Sequence, residues 1–198
     1  MRPKFYSDSM LCSHYDNLLA LLNPSSYRYP EASEIAAPPN TRDLYDLLLN
    51  QRGQFEPMIN DAAESFPFRL GKYAESLIAI ALELQTPYLN MRYLCGLQIH
   101  NELGATQGEL DVIVAHEAKI EHWELAVKYY LEWVLESGES IWLGPQLKDA
   151  LSLKLAKFRD QQIPLGQEYA QTVLSEFGLP GPLISKLLVP GRRFYAGK

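Results

Sequence analysis

Cysteine and positive charge are both scarce in this sequence. The only cysteines, Cys12 and Cys95, are far apart and form no CxxC pair, which argues against a structural disulfide and a cysteine-rich zinc site. The formal net charge is −6, so any nucleic acid has to bind at a local patch rather than on a broad basic surface. A chain of 198 residues with 47% hydrophobic residues can still form a sizeable core.

The sequence also lacks long apolar runs. No stretch is long enough to span a bilayer. The first ten residues carry Arg2 and Lys4 without the apolar segment that follows the charged region of a secretory signal. We therefore expect a cytoplasmic protein with no membrane partner.

Several catalytic motifs are missing. The sequence has no P-loop, no GxGxxG and no GxSxG. The His116-Glu117 and Glu121-His122 pairs lack the second histidine of a HExxH zinc helix. The triplet 122–124, His-Trp-Glu, resembles the start of a deaminase motif, but no PCxxC follows it.

The apolar pattern predicts helices around a group of three strands. Apolar residues recur at three- and four-residue steps in residues 68–85, which predicts an amphipathic helix that Pro87 ends. We predict further helices at residues 8–22, 42–50, 146–162 and 167–177, strands at 91–100, 109–115 and 119–131, a turn and short helix at 181–188, and a brief strand at 192–195.

Two of the predicted strands carry acids within apolar runs. In 109–115, alternation places Leu110, Val112 and Val114 on one face and Glu109, Asp111 and Ile113 on the other. In 119–131 the second face carries His122, Glu124, Ala126, Lys128 and Tyr130. The tetrapeptide 115–118 is short enough to join the two strands as a hairpin.

Adjacent carboxylates at Asp111 and Glu124 predict a cation site. Two such groups repel each other unless a cation or a proton lies between them, and oxygen ligands of this kind suit Mg²⁺ or Mn²⁺. Lys128, further along the face of Glu124, is placed to orient or polarise a water beside the metal. The alternative is a hairpin with one solvated polar face and a salt bridge across it.

Two neighbouring helices add charged residues to this picture. Lys154 falls in the middle of the apolar stripe of the 146–162 helix, where a lysine must either extend to the surface or find a buried anion. The acids of the sheet are the nearest candidates for that anion. Glu75 flanks the stripe of the 68–85 helix and is either a surface residue or a further member of the cluster.

Four phrases carry a resemblance to a known family. They are LGKYAESLIAI, GELDVIV, HWELAVKYYL and WLGPQLKDALSLKLAK, in this order, at residues 70–80, 108–114, 122–131 and 142–157. Together they resemble DUF1853, a bacterial family of unknown function that is grouped with the PD-(D/E)XK nuclease superfamily. The resemblance implies an α/β fold with a restriction-endonuclease-like αβββαβ core, in which helices flank a mixed central sheet, plus N- and C-terminal helical segments.

The superfamily motif maps onto single residues of this chain. Its helical acid matches Glu75, its second-strand aspartate matches Asp111, and its third-strand acid matches Glu124. The lysine that usually lies two residues after that acid is replaced by Ala126, so Lys128 or Lys154 would have to supply the amine. The resemblance further implies that Asp111, Glu124 and the main-chain carbonyl of Leu125 hold Mg²⁺ or Mn²⁺.

Three functions follow as hypotheses. The first is a metal-dependent nuclease that hydrolyses phosphodiester bonds of DNA or RNA in a single domain spanning residues 1–198. Its parts would be an N-terminal helical and loop segment at 1–67, a nuclease-like core at 68–162 and a C-terminal helical tail at 163–198. The second is a non-catalytic binding or scaffold protein, which the absence of lysine at Ala126 and the acidic net charge favour. The third is a small-molecule phosphodiesterase with the same metal cluster.

Overall fold

Helices form the N-terminal part of the molecule. The computed structural model describes residues 13–23, 39–66, 69–101, 103–117, 119–127, 130–144, 147, 149–168, 170–179, 181–189 and 193–194. Helix α1 spans His14–Leu22, α2 spans Pro39–Asn50 and α3 spans Arg52–Ala63. Residues 8–12, which we predicted to begin the first helix, lie outside these ranges, and the pattern did not predict α3.

Helix α4 spans Leu70–Leu89 and is the longest helix described. Its buried side chains follow the predicted stripe, and they are Ala74, Leu77, Ile78, Ala81, Leu82 and Gln85. The prediction that Pro87 ends the helix is wrong, because Pro87 lies in the last turn and the helix continues to a left-handed residue, Asn90, with a φ of 50°. Pro87 removes one i→i−4 hydrogen bond, and the helix nevertheless closes beyond it, because the N–H of Asn90 donates to the carbonyl of Thr86.

Four strands form a mixed sheet in the order β1-β2-β3-β6. Strands β1 (Arg92–His100), β2 (Thr106–His116) and β3 (Lys119–Leu125) are antiparallel neighbours, whereas β6 (Leu183–Leu188) is parallel to β3. Six of the seven residues of β3 are buried, as expected for a strand with neighbours on both sides and helices over both faces. The antiparallel pairing of β2 with β3 confirms the predicted hairpin. Ala118, in its turn, lies outside the described ranges.

The short helix predicted at residues 181–188 is wrong, since this segment is strand β6. A short apolar run of this kind is compatible with a strand or a buried helix. The pairing partner decides between them, because Ile120 pairs with Leu183 and Leu125 with Leu188. The segment 163–198 is consequently not a purely helical tail, since it supplies a strand of the main sheet.

A second sheet has the strand order β5-β4-β7. Its strands are β4 (Tyr130–Val134), β5 (Ser140–Leu143) and β7 (Arg193–Phe194). In the sequence, β4 and β5 lie between β3 and the next helix, whereas β7 follows β6. The prediction of one strand over 119–131 is wrong, because β3 ends at Leu125 and β4 pairs with β5 instead. Alternation continues across both strands, so the sequence pattern gives no sign of this change of sheet.

The helical segment that carries Lys154 begins later than predicted. Helix α5 spans Leu151–Lys157, and a π-helical turn at Phe158–Gln162 follows it. Helices α6 (Ile163–Glu168) and α7 (Ala170–Glu176) then lead to β6. The predicted start at residue 146 is wrong, since Leu147 has a φ of 58° and Ala150 is extended.

Two apolar clusters cover the two faces of the main sheet. Helices α1 to α5 pack on Val112, Val114 and Trp123 in one cluster. Helices α6 and α7 pack on Ile113 and Ile120 in the other. Among the described residues, no helix is both long and apolar enough to cross a membrane.

Candidate active site

Asp111 and Glu124 lie where the pairing of β2 with β3 stops. The last paired residues are Val112 and Trp123, so the next position in register sets Asp111 opposite Glu124. The ladder does not continue there, because the main-chain N–H of Leu125 donates to Asp111 Oδ2 at 2.8 Å. A side-chain carboxylate thus takes the place of a main-chain acceptor and is fixed against the neighbouring strand.

The alternation of β2 breaks at Asp111. Leu110 and Ile113 belong to the cluster under α6 and α7, whereas Val112 and Val114 belong to the other cluster. The prediction that Leu110, Val112 and Val114 share one face is therefore wrong at Leu110. Strict alternation assumes an even pleat, and the pleat is uneven at this point.

The neighbouring strand is irregular at the same level. Leu94 and Leu97 of β1 pack against the same cluster, although an odd number of steps separates them. Between them lies Gly96, with a φ of +63°, a conformation that residues with a Cβ rarely adopt. Gly96 stands opposite Asp111 in the β1–β2 register, since Cys95 pairs with Val112 and Leu97 with Leu110.

Glu124 is buried and paired with a lysine from α5. Its side chain is 4% exposed, and Lys154 Nζ donates to Glu124 Oε1 at 2.7 Å. The lysine is itself only 18% exposed, which gives the pair a low local dielectric and a strong attraction. The anion that the helical stripe requires for Lys154 is thus Glu124.

The carboxyl group of Asp111 holds its proton more tightly than usual. Burial, and then the nearby charge of Glu124, raise the pKa of Asp111 to about 6. The Leu125 N–H and the Lys154 ammonium oppose this rise. A carboxyl group whose ionisation is disfavoured by a neighbouring carboxylate marks a place where a cation is stabilised.

Glu75 is near this pair without contacting it. Its charge contributes to the raised pKa of Asp111, but its carboxylate is engaged by Lys72, whose Nζ is 2.6 Å from Glu75 Oε2. Lys72 also lies 4.0 Å from Glu109 Oε1. The structure therefore places Glu75 in a half-exposed charged group on α4, next to the Asp111 site.

The remaining predicted residues are only partly described. Lys128 lies outside the described residues. Leu125 was predicted to contribute its carbonyl, and the contact described for it is the hydrogen bond from its N–H to Asp111. Among the described residues, no group of three or more His, Cys, Asp or Glu side chains is arranged to hold a metal ion. A Mg²⁺ ion often keeps several waters and uses only one or two protein carboxylates, so Asp111 and Glu124 still suit such an ion.

His122 belongs to the site but was not among the predicted site residues. Its ring is fully buried on β3, with Nε2 3.7 Å from Glu124 Oε2 and Nδ1 3.2 Å from Ser185 Oγ of β6. Burial, and then Lys154, lower the pKa of His122 to about 4. Alternation already placed His122 on the face of Glu124, and this shared face was the signal available in the sequence.

A second buried acid, Glu121, has a structural role instead. Trp123 Nε1 donates to Glu121 Oε2 at 2.9 Å, and the N–H of Asn40 lies 3.4 Å from both carboxylate oxygens. Asn40 is in the first turn of α2, where a negative charge is stabilised. Glu121 therefore ties α2 to the sheet, on the opposite face from Glu124.

Comparison with known proteins identifies a family but no activity. The model of a family described as a domain of unknown function, DUF1853, matches residues 11–198. No curated protein and no solved structure matches the chain.

Proposed function

Because the chain belongs to the DUF1853 family, whose function is unknown, we propose from its site geometry that it is a metal-dependent nuclease of the PD-(D/E)XK type. The observation that carries this proposal is the meeting of Asp111, Glu124 and Lys154 at the opening between β2 and β3. A partly buried Asp111 beside the buried Glu124, with a lysine next to them, suits hydrolysis of a phosphodiester bond with a divalent cation.

The order of the elements supports the proposal. Helix α4, strands β1 to β3, helix α5 and strand β6 follow one another as α-β-β-β-α-β, with β4 and β5 inserted. The parallel pairing of β6 with β3 places α5 to α7 in a crossover between the two strands. This crossover brings Lys154 to the strand that carries Glu124.

Each residue has a role in the proposed reaction. Asp111 and Glu124 would hold the cation, with the Leu125 carbonyl at the same strand end and Glu75 on the neighbouring helix α4 as further contacts. Lys154 occupies Oε1 of Glu124 and leaves Oε2, which has no hydrogen-bond partner among the described residues. When bound, Mg²⁺ or Mn²⁺ lowers the pKa of a water and stabilises the charge that develops on the phosphoryl oxygens.

The lysine of the motif is supplied from α5 in this proposal. Ala126 occupies the usual lysine position and is itself buried, so it cannot interact with a phosphate. Lys154 reaches the same acid from the helix at 2.7 Å. Its ammonium stabilises the Glu124 carboxylate before substrate binds and offsets phosphate charge afterwards.

Cleavage assays test the proposal directly. Wild type and the variants Asp111→Asn and Glu124→Gln are incubated with single- and double-stranded DNA and RNA and with a nitrophenyl phosphodiester, with Mg²⁺ or Mn²⁺. We expect metal-dependent cleavage of a nucleic acid by wild type and a loss of at least 100-fold in both variants. The matched control is Glu139→Gln, an exposed acid on the β4–β5 turn, which should cleave like wild type.

Other outcomes separate the rival functions. Cleavage of the small diester alone would assign a small-molecule phosphodiesterase. Metal binding without cleavage of any substrate would overturn the nuclease proposal. The second candidate, a binding or scaffold protein, is favoured by one observation, the exposed apolar side chains Leu131, Trp133 and Val134 on β4.

A further inference from the structure

The imidazole of His122 is held in a fixed orientation next to Glu124. The ring is fully buried, and its Nδ1 lies 3.2 Å from Ser185 Oγ. The strands that carry these residues are adjacent and His122 pairs directly with Ser185. A metal-binding histidine is commonly oriented in this way, by a hydrogen bond on the ring nitrogen that does not contact the metal.

The other nitrogen of the ring faces the carboxylate of Glu124. Nε2 and Glu124 Oε2 are 3.7 Å apart, both atoms are buried, and neither has a hydrogen-bond partner among the described residues. If Nδ1 donates to Ser185, Nε2 directs a lone pair towards a carboxylate oxygen. Two buried electron-rich atoms in this arrangement are stabilised by an electrophile near both of them, and a metal ion is one such electrophile.

We propose that His122 Nε2 and Glu124 Oε2 are ligands of the same cation, and that the site prefers a first-row transition metal such as Mn²⁺ to Mg²⁺. This inference rests on the proposed function, because it concerns the cation of that site. It adds a ligand that the acid–acid–lysine pattern of the motif does not contain.

The distance between the two atoms fits a shared ion. Metal–nitrogen and metal–oxygen bonds of about 2.1 Å set two atoms 3.7 Å apart at an angle of about 120° around the ion. Imidazole nitrogen is a poor ligand for Mg²⁺ and a good one for transition metals. His122 and Glu124 are then the two side chains bound directly to the ion, Asp111 acts on it from the same strand end through a bound water, and further waters complete the coordination.

Pulsed electron paramagnetic resonance on Mn²⁺-loaded protein tests the nitrogen ligand directly. The chain has four histidines, His14, His100, His116 and His122. We expect the ¹⁴N coupling of a bound imidazole in wild type and in a variant with the other three changed to Gln. The coupling should disappear in His122→Gln and persist in His100→Gln, whose imidazole is on an exposed residue of β1.

Calorimetric titration tests the preference between metals. Wild type should bind Mn²⁺ at least tenfold more tightly than Mg²⁺. His122→Gln should weaken Mn²⁺ binding about tenfold or more and change Mg²⁺ binding little, and Ser185→Ala should weaken Mn²⁺ binding by a similar factor, because the ring loses its orienting bond. Asp111→Asn should weaken the binding of both metals.

The outcomes distinguish the inference from the proposed function. Divalent binding that depends on Asp111 but shows no ¹⁴N coupling, or equal affinity for Mg²⁺ and Mn²⁺, would overturn the role of His122 and leave the nuclease proposal standing. No binding of either metal by wild type would overturn both. If His122→Gln does not fold, the variant that retains only His122 decides, since its site is unchanged.

Discussion

The carboxyl group of Asp111 connects the site to the stability of the protein. Its pKa of about 6 exceeds the ordinary value of 3.8, so the folded state favours the protonated form. The stability associated with this proton is fully present below pH 3.8 and is lost as the pH rises through about 6. Without a cation, ionised Asp111 therefore destabilises the fold at neutral pH.

We predict that Asp111→Asn stabilises the metal-free protein, and more at pH 8 than at pH 5. The amide keeps an acceptor for the Leu125 N–H and removes the charge. The difference between the ordinary pKa and the raised pKa of Asp111 corresponds to at most about 3 kcal/mol in the free energy of unfolding. A rise of several degrees in melting temperature is therefore expected at pH 8. Calorimetry with a chelator at both pH values measures it.

A second aspartate provides the control for this prediction. Asp160→Asn, at an exposed position of the π-helical turn, should give no pH-dependent difference from wild type. A melting temperature of Asp111→Asn that lies below wild type at pH 8 would contradict the prediction, since it would mean that the ionised carboxylate stabilises the fold.

For Lys154 we predict a loss of both stability and activity. Lys154→Met removes the cation from a buried carboxylate, and breaking one half of a buried ion pair costs about 3–5 kcal/mol. The double variant Lys154→Met with Glu124→Gln should recover much of that stability, because no uncompensated charge remains. Urea unfolding of wild type, both single variants and the double variant measures the coupling.

Activity then separates Lys154 from the other candidate lysine. Lys128→Met, tested in parallel, should leave cleavage and stability close to wild type if Lys154 alone supplies the amine. A Lys154→Met protein that is less stable yet cleaves normally below its melting transition would show that this lysine is structural.

At the scale of a single element, Gly96 lets strand β1 stay paired with β2 where the alternation of β2 breaks. Gly96 has a φ of +63° and stands opposite Asp111 in the β1–β2 register. An added Cβ would meet only the Glu109 side chain, with Oε1 at 3.7 Å and Cδ at 3.9 Å, so crowding is absent. The cost of a substitution there comes from the backbone conformation, which is worth about 1–2 kcal/mol for a residue with a side chain.

We predict that Gly96→Ala lowers the melting temperature by about 2–6 °C, through a loss of about 1–2 kcal/mol. It should lower cleavage as well, because the strand opposite Asp111 changes its path. Gly71→Ala is the matched control, since Gly71 lies in the first turn of α4 with nothing within 4 Å of an added Cβ. That control should be neutral or slightly stabilising, and an equal loss in both variants would contradict the role given to Gly96.

At the scale of the whole molecule, the C-terminal part completes the sheet. Leu187 and Leu188 of β6 are fully buried in the cluster under α1 to α5, and β6 is the parallel neighbour of β3. The same strand holds Ser185 against His122. The segment after residue 163 therefore contributes both to the core and to the site.

We predict that Leu187→Ala destabilises the entire protein by about 2–5 kcal/mol, the usual cost of an emptied core position. Ile184→Ala, on the same strand but 42% exposed, should cost much less. Chemical unfolding followed by tryptophan fluorescence measures both, since Trp123 pairs with β6. A small effect of Leu187→Ala would indicate that the C-terminal segment is an appendage rather than part of the core.

The sequence by itself determined the elements whose pattern is local. The stripe of α4 follows from side chains three and four residues apart, and the acids of β2 and β3 follow from strand alternation over a few residues. The position of Lys154 among apolar neighbours follows for the same reason, and it left either the surface or a buried anion as the destination of its ammonium group. These features depend on contacts within an element, and a linear pattern contains that information.

Only the tertiary structure decided the features that depend on distant partners. Residues 183–188 form a strand because β3, some sixty residues earlier, offers its free edge, and the same pairing brings Ser185 to His122. The break in alternation at Asp111 lies opposite Gly96 of the neighbouring strand. Each of these results from hydrogen bonds and packing between separate segments, and the local apolar pattern is the same whether or not those contacts form.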